Sequence, residues 1–149
     1  MNRYEWNLLN NHQIRRYAEY FTKMEFTMYG FDVYSSEVDD RGIDLILRNG
    51  KPEYYDIHVK PTRNLNYISF SKSKFNPRTN LFAAVAIFLE AQPPQLYLIP
   101  SMVWRNPNTL FVSYDRVDKK GSSDWGLNLS ELNIPFLQPY AFDYVIEGL

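Results

Sequence analysis

The sequence contains no cysteine. That absence excludes disulfides, thiolate nucleophiles and cysteine-based zinc sites, and with them the small disulfide-stapled secreted scaffold. Long apolar runs are missing too: the longest, Leu81 to Leu89, falls far short of the roughly 20 residues that cross a bilayer. The opening residues Met1-Asn2-Arg3-Tyr4-Glu5-Trp6 lack the basic-then-apolar order of a signal peptide, so a soluble, cytoplasmic protein with no membrane partner is expected. Net charge is nearly absent, with 16 Lys and Arg against 17 Asp and Glu, which removes any whole-molecule attraction to a polyanion and leaves nucleic-acid binding to local patches. No Walker loop, Gly-rich dinucleotide turn or Gly-x-Ser-x-Gly elbow occurs, so nucleotide hydrolysis and serine-hydrolase chemistry have no anchor. Without repeats or a Gly/Ser linker, the 149 residues read as one domain, 1–149.

What the chain does have is core-forming material: 45% apolar residues, with 12 Tyr and 10 Phe, a composition that folds. From Asn11 to Tyr29 the residues Ile14, Tyr17, Phe21, Met24 and Met28 recur at helical spacing. Asn10 with Gln13 forms an N-cap pair before this helix, and Gly30 is a stop after it. Strands are expected at Phe31 to Tyr34, Ile43 to Leu47 and Tyr54 to Lys60, with Asp39-Asp40-Arg41-Gly42 and Asn49-Gly50 as turns. The second and third strands should pair as an antiparallel hairpin. Leu65 to Phe70 adds a short strand. The nearly all-apolar stretch Asn80 to Glu90, between Pro77 and Pro93-Pro94, reads as a buried helix crossing to a parallel central strand at Gln95 to Ile99. Shorter pieces follow: a helical turn at Ser101 to Trp104, and extended segments at Thr109 to Ser113 and Trp125 to Leu129.

Alternation along a strand puts Asp56, His58 and Lys60 on one face and Ile57 and Val59 on the other. The hairpin brings Asp44 beside His58 and Lys60, which makes a compact polar cluster. A carboxylate and a second ligand on neighbouring strands suit a hard divalent ion, and a nearby lysine suits activation of water or neutralisation of charge on a phosphate. The same trio also fits a satisfied polar network. From Ile57 to Leu89 the charged residues are Lys60, Arg63, Lys72, Lys74 and Arg78, with no acid among them; this is either a phosphate-facing patch or a solvated loop. His12 reads as helix surface, and Asp39-Asp40 as turn residues. Trp104 and Trp125 read as core or dimer contacts before base-stacking platforms.

Gly42-Ile43-Asp44, followed by Asp56-Ile57-His58-Val59-Lys60 and preceded by a helix carrying Glu19, resembles the PD-(D/E)xK nuclease-like superfamily. Within it, the chain is similar to small bacterial proteins with a GID…DIQVK signature, and more distantly to archaeal Holliday junction resolvases. The likeness covers about the first hundred residues. It implies an α/β, restriction-endonuclease-like αβββαβ core, a central mixed sheet flanked by helices, and cleavage of DNA with Mg or Mn ions. It would assign the metal-binding acid to Asp44, the middle ligand to His58, the catalytic lysine to Lys60 and the helix acid to Glu19; beside it, the acid-free charge run makes Arg63, Lys72, Lys74 and Arg78 the candidate DNA contacts. His58 stands where the superfamily has Glu or Asp and the nearer group has Gln. Imidazole brings no negative charge and prefers softer metals than Mg. Two functions therefore stay open: a metal-dependent endonuclease, and a catalytically inactive nucleic-acid-binding or protein-interaction module. The aromatic C-terminal third also allows a homodimer.

Overall fold

A computed structural model describes residues 2–37, 42–116 and 123–149 of the chain. Helix α1, Asn11–Met28, starts at the expected cap. The Asn10 side chain accepts from the Gln13 N–H at 2.9 Å, and the Gln13 side chain accepts from the Asn10 N–H at 2.8 Å, so two otherwise orphaned donors are satisfied. Gly30, with φ of 88°, takes the left-handed conformation that ends the helix. The buried row is Ile14, Ala18, Thr22 and Phe26, and this corrects the expected stripe: Met24 and Met28 are 61% and 80% exposed. Small Ala18 and Thr22 let the helix backbone approach the sheet closely. The Thr22 hydroxyl donates back to the Ala18 carbonyl at 2.7 Å, so its burial strands no polar group.

Strands β1 (Asp32–Ser35), β2 (Leu45–Arg48) and β3 (Tyr54–Arg63) form an antiparallel meander. The expected β2–β3 hairpin is present, with Gly50 at φ 81° in its turn. Asp44 lies just ahead of β2 rather than inside it. The expected turn at Asp39-Asp40-Arg41 lies outside the described residues.

β4 (Ile68–Ser71) leaves this sheet, and β5 (Leu81–Phe88) returns to it parallel to β3. The helix expected over Asn80 to Glu90 is therefore a strand, and the crossover leading into it carries β4 instead of a helix. The cause is burial on both faces: all eight residues of β5 are buried. Phe82, Ala84, Ala86 and Phe88 face the α1 side, whereas Leu81, Ala83, Val85 and Ile87 face the other. An apolar run of this length satisfies either a buried helix or a strand covered twice, and only tertiary structure decides. β6 (Gln95–Pro100) pairs antiparallel to β5 and ends the strand order β1-β2-β3-β5-β6. It is thus an edge strand, not the expected central parallel one.

β7 (Phe111–Tyr114) and β8 (Asp124–Leu127) join β4 in a second sheet, order β4-β8-β7. Residues Phe70, Phe75, Trp104, Phe111 and Leu127 pack it onto β5. Short helix α2, Phe142–Ile146, joins α1 on the opposite face through Phe142 and Ile146. The result is a central mixed sheet with helices on one side and a small sheet on the other. No helix among the described residues is long and apolar enough to cross a membrane.

If both faces of β5 are packed, Ala83→Leu and Ala84→Leu should each overfill a different layer and each cost about 1–3 kcal/mol. The check is the urea midpoint of each variant. Free tolerance of either substitution would contradict two-sided burial.

Candidate functional site

Along β3, Ile57 and Val59 enter the core under α1, so Asp56, His58 and Lys60 face the second sheet, as the alternation requires. Asp44 is fastened to β3 twice. Its backbone N–H donates to the Ile57 carbonyl at 2.9 Å, and its Oδ2 accepts the Val59 N–H at 2.7 Å. The carboxylate thus stands in for a ladder acceptor at the place where β2 has not yet begun, which fixes its position beside His58 and Lys60.

The His58 ring packs edge-on to Phe70 and Phe75, with centroids 5.3 and 5.9 Å away. Gly42 belongs to the same contact. Its φ is +72°, and an added Cβ would lie 3.0 Å from both the Cβ and the carbonyl oxygen of Lys74 and 3.3 Å from His58 Nδ1. A side chain there would strain the backbone and push on the imidazole. The glycine of the Gly42-Ile43-Asp44 segment therefore permits the approach of residue 74 to β3.

Glu19, Asp44, His58 and Lys60 open onto one cavity of about 480 Å³, together with Arg15, Arg63 and Lys74. A second cavity of about 430 Å³ adjoins it, shares Arg15, Glu19 and Asp44, and adds His12, Arg16, Lys23 and Glu37. Burial lowers the Lys60 pKa below its ordinary value, and the Arg15 guanidinium lowers it further; Asp44 and Asp124 pull in the opposite direction. Lys60 Nζ lies 5.8 Å from the Phe70 ring centroid, a weak compensation for lost water. Glu19 forms an ion pair with Arg16 at 3.3 Å.

The sequence-predicted set divides. Asp44, His58, Lys60 and Glu19 share the cavity, and Lys74 borders it. Asp56 is buried away from it and is bonded to Arg78 at 2.8 Å. Arg63 lines the cavity but donates to the carbonyls of Trp6 and Leu9 and to the Asn11 side chain, which ties the N-terminal segment to β3. Lys72 bonds Ser113 Oγ at 2.6 Å and Asp115 at 2.7 Å and lies over the Trp125 ring. Arg15 was missed; its only signal was its place four residues before Glu19, on the same helix face. Asp124, which acts electrostatically on Lys60 from β8, had none.

The resemblance implies a divalent metal, but the residues present do not fit a preassembled centre. No group of three or more His, Asp or Glu able to hold a metal ion occurs among the described residues. One oxygen of Asp44 is already used by Val59, Glu19 is paired with Arg16, and imidazole at position 58 supplies no charge.

A mixed sheet with its first helix against β3 and this polar cluster at the β2–β3 junction is the restriction-endonuclease-like fold. The chain is similar to the solved Holliday junction resolvase Hjc of the archaeal hyperthermophile Archaeoglobus fulgidus, with a TM-score of 0.50 and 16% identity over 82% of this chain and 88% of that one. No family model matches the chain, and no curated protein matches it in sequence.

Two outcomes follow. Because the folded pKa of Lys60 is depressed, the unfolded chain binds more protons as pH approaches the unfolded value, so this group's contribution to stability rises with pH there. Lys60→Met should raise the thermal midpoint near neutral pH, and the gain should shrink as the pH rises; a gain independent of pH would contradict a buried charge. Arg78→Ala leaves the Asp56 carboxylate buried without its cation. The cost should be about 1–3 kcal/mol, below that for a fully buried pair because the Arg78 side chain is 38% exposed, and Asp56→Asn in the same background should recover part of it in denaturant titrations.

Proposed function

We propose that this chain acts on DNA, and that the cavity beside Asp44 receives its sugar–phosphate backbone. The observation that carries the reading is the convergence of Lys60, Arg15 and Lys74 on the cavity that is also lined by Asp44 and His58, on a nuclease-type fold. A phosphate there meets Lys60, Arg15 and Lys74, and of the cavity's two carboxylates Glu19 is offset by Arg16, while Asp44 keeps its charge and is held in place by the Val59 N–H. Lys74 and Arg15 are exposed enough to reach a duplex or a branch, and contacts of this kind supply most of the affinity of a backbone-binding protein. Hjc is a Holliday junction resolvase, so branched DNA is the first ligand to try.

Phosphodiester hydrolysis with Mg or Mn is the second reading, and it is supported by the resemblance of Asp44 and Lys60, in Gly42-Ile43-Asp44 and Asp56-Ile57-His58-Val59-Lys60, to the acid and the lysine of the superfamily motif. A lysine of lowered pKa is suited to take a proton from water or to steady a developing charge.

The test is anisotropy with labelled junction and linear duplex at low salt, followed by a nicking assay with Mg or Mn. Lys60→Ala and Lys74→Ala should each weaken binding about fivefold. No binding to any DNA overturns the proposal. Nicking abolished by both Asp44→Ala and Lys60→Ala establishes hydrolysis at this site, whereas nicking that survives both removes the site from catalysis.

A further inference from the structure

The cavity beside Asp44 does not end there. The adjoining one shares Arg15, Glu19 and Asp44 with it and continues along α1 to Arg16 and Lys23. His12, the neighbours Arg15 and Arg16, Glu19 and Lys23 recur one turn apart, at three- and four-residue spacings, so they lie along one side of the helix. At 1.5 Å per residue, Lys23 is roughly 16 Å from His12 along the axis, a length that spans about five phosphates of one strand in B-form DNA.

The chemistry of both cavities selects the backbone and not the bases. Among the described residues, no Phe, Tyr or Trp lines either of them, so these residues offer no stacking platform of the kind that holds bases of single strands. Their linings are polar: hydroxyls of Ser35, Ser36, Thr62 and Ser71 alternate with the charged groups. In the α1 lobe, Glu19 is paired with Arg16, which leaves Arg15 and Lys23 to attract a phosphate and Asp44 and Glu37 to oppose one.

We infer that the two cavities are lobes of one track, on which a single sugar–phosphate strand lies across α1 from Lys74 and Lys60, past Asp44, to Lys23. This rests on the reading that the Asp44 cavity takes DNA. The track recognises charge and strand path, with no preference among bases.

The experiment uses the full chain and labelled oligonucleotides, with affinity measured across a salt series. Lys23→Gln should weaken binding about threefold and flatten the salt slope by about 0.7–0.9, the loss of one phosphate contact. Glu37→Gln, at an exposed residue whose replacement leaves the core intact, should tighten binding by a similar factor. Oligo-dT and mixed-sequence strands of equal length should bind alike. If Lys60→Ala weakens binding while Lys23→Gln and Glu37→Gln leave affinity and slope unchanged, the track falls and the DNA reading stands. A large preference for one base also overturns the track. If the unaltered protein binds no DNA at low salt, both fall together.

Discussion

Strand β5 has no face left for water: every residue from Leu81 to Phe88 is buried, with α1 and α2 on one side and the β4-β8-β7 sheet on the other. The rest of the structure follows from that two-sided burial. β3 runs beside β5 along eight paired positions, so its second face is covered as well, and any polar residue on that face must find a partner or an opening. Asp56 finds Arg78. Lys60, four residues on, finds an opening. The candidate site is the place where the cover of β4 over β3 stops and the cavity begins.

How much of this was legible depends on the distance over which each feature is determined. The α1 cap, the Gly30 stop and the β2–β3 turn are local, and Asn10, Gln13 and Gly50 announced them. The packed row of α1 was not legible, because the sheet chooses Ala18 and Thr22 for their small size while the sequence offers Met24 and Met28 as equally periodic. β5 was misread for the same reason: Leu81–Phe88 has neither alternation nor amphipathic period once both sides are apolar. Asp44, His58 and Lys60 were found because strand alternation and one short hairpin suffice to bring them together. The roles of Arg63 and Arg78 were hidden in partners more than 20 positions away in the chain, at Leu9 and Asp56.

His58 illustrates how packing and chemistry compete at one position. A carboxylate at residue 58 would face Phe70 and Phe75, two fully buried rings, and would need other donors to offset its desolvation. An imidazole meets the same rings edge-on, and Gly42 leaves room for it. The aromatic cover that joins the second sheet to the first therefore suits histidine better than an acid. The imidazole at residue 58 and the aromatic second core are consequences of the same contact.

The charges around the cavity then acquire a direction. Asp44 and Glu19 each have a donor from within the chain, whereas Lys60 is disfavoured as a cation by burial and by Arg15. A neutral ligand would bury Lys60 further and make matters worse. An anion placed between Lys60 and Arg15 offsets both causes at once: it replaces lost water at the ammonium and screens the guanidinium. Binding of such an anion must therefore favour the protonated form of Lys60, by the reciprocity that links any two equilibria at one site. The arrangement is one in which phosphate and proton assist each other, which is the property that the proposed contact with a sugar–phosphate backbone requires of Lys60.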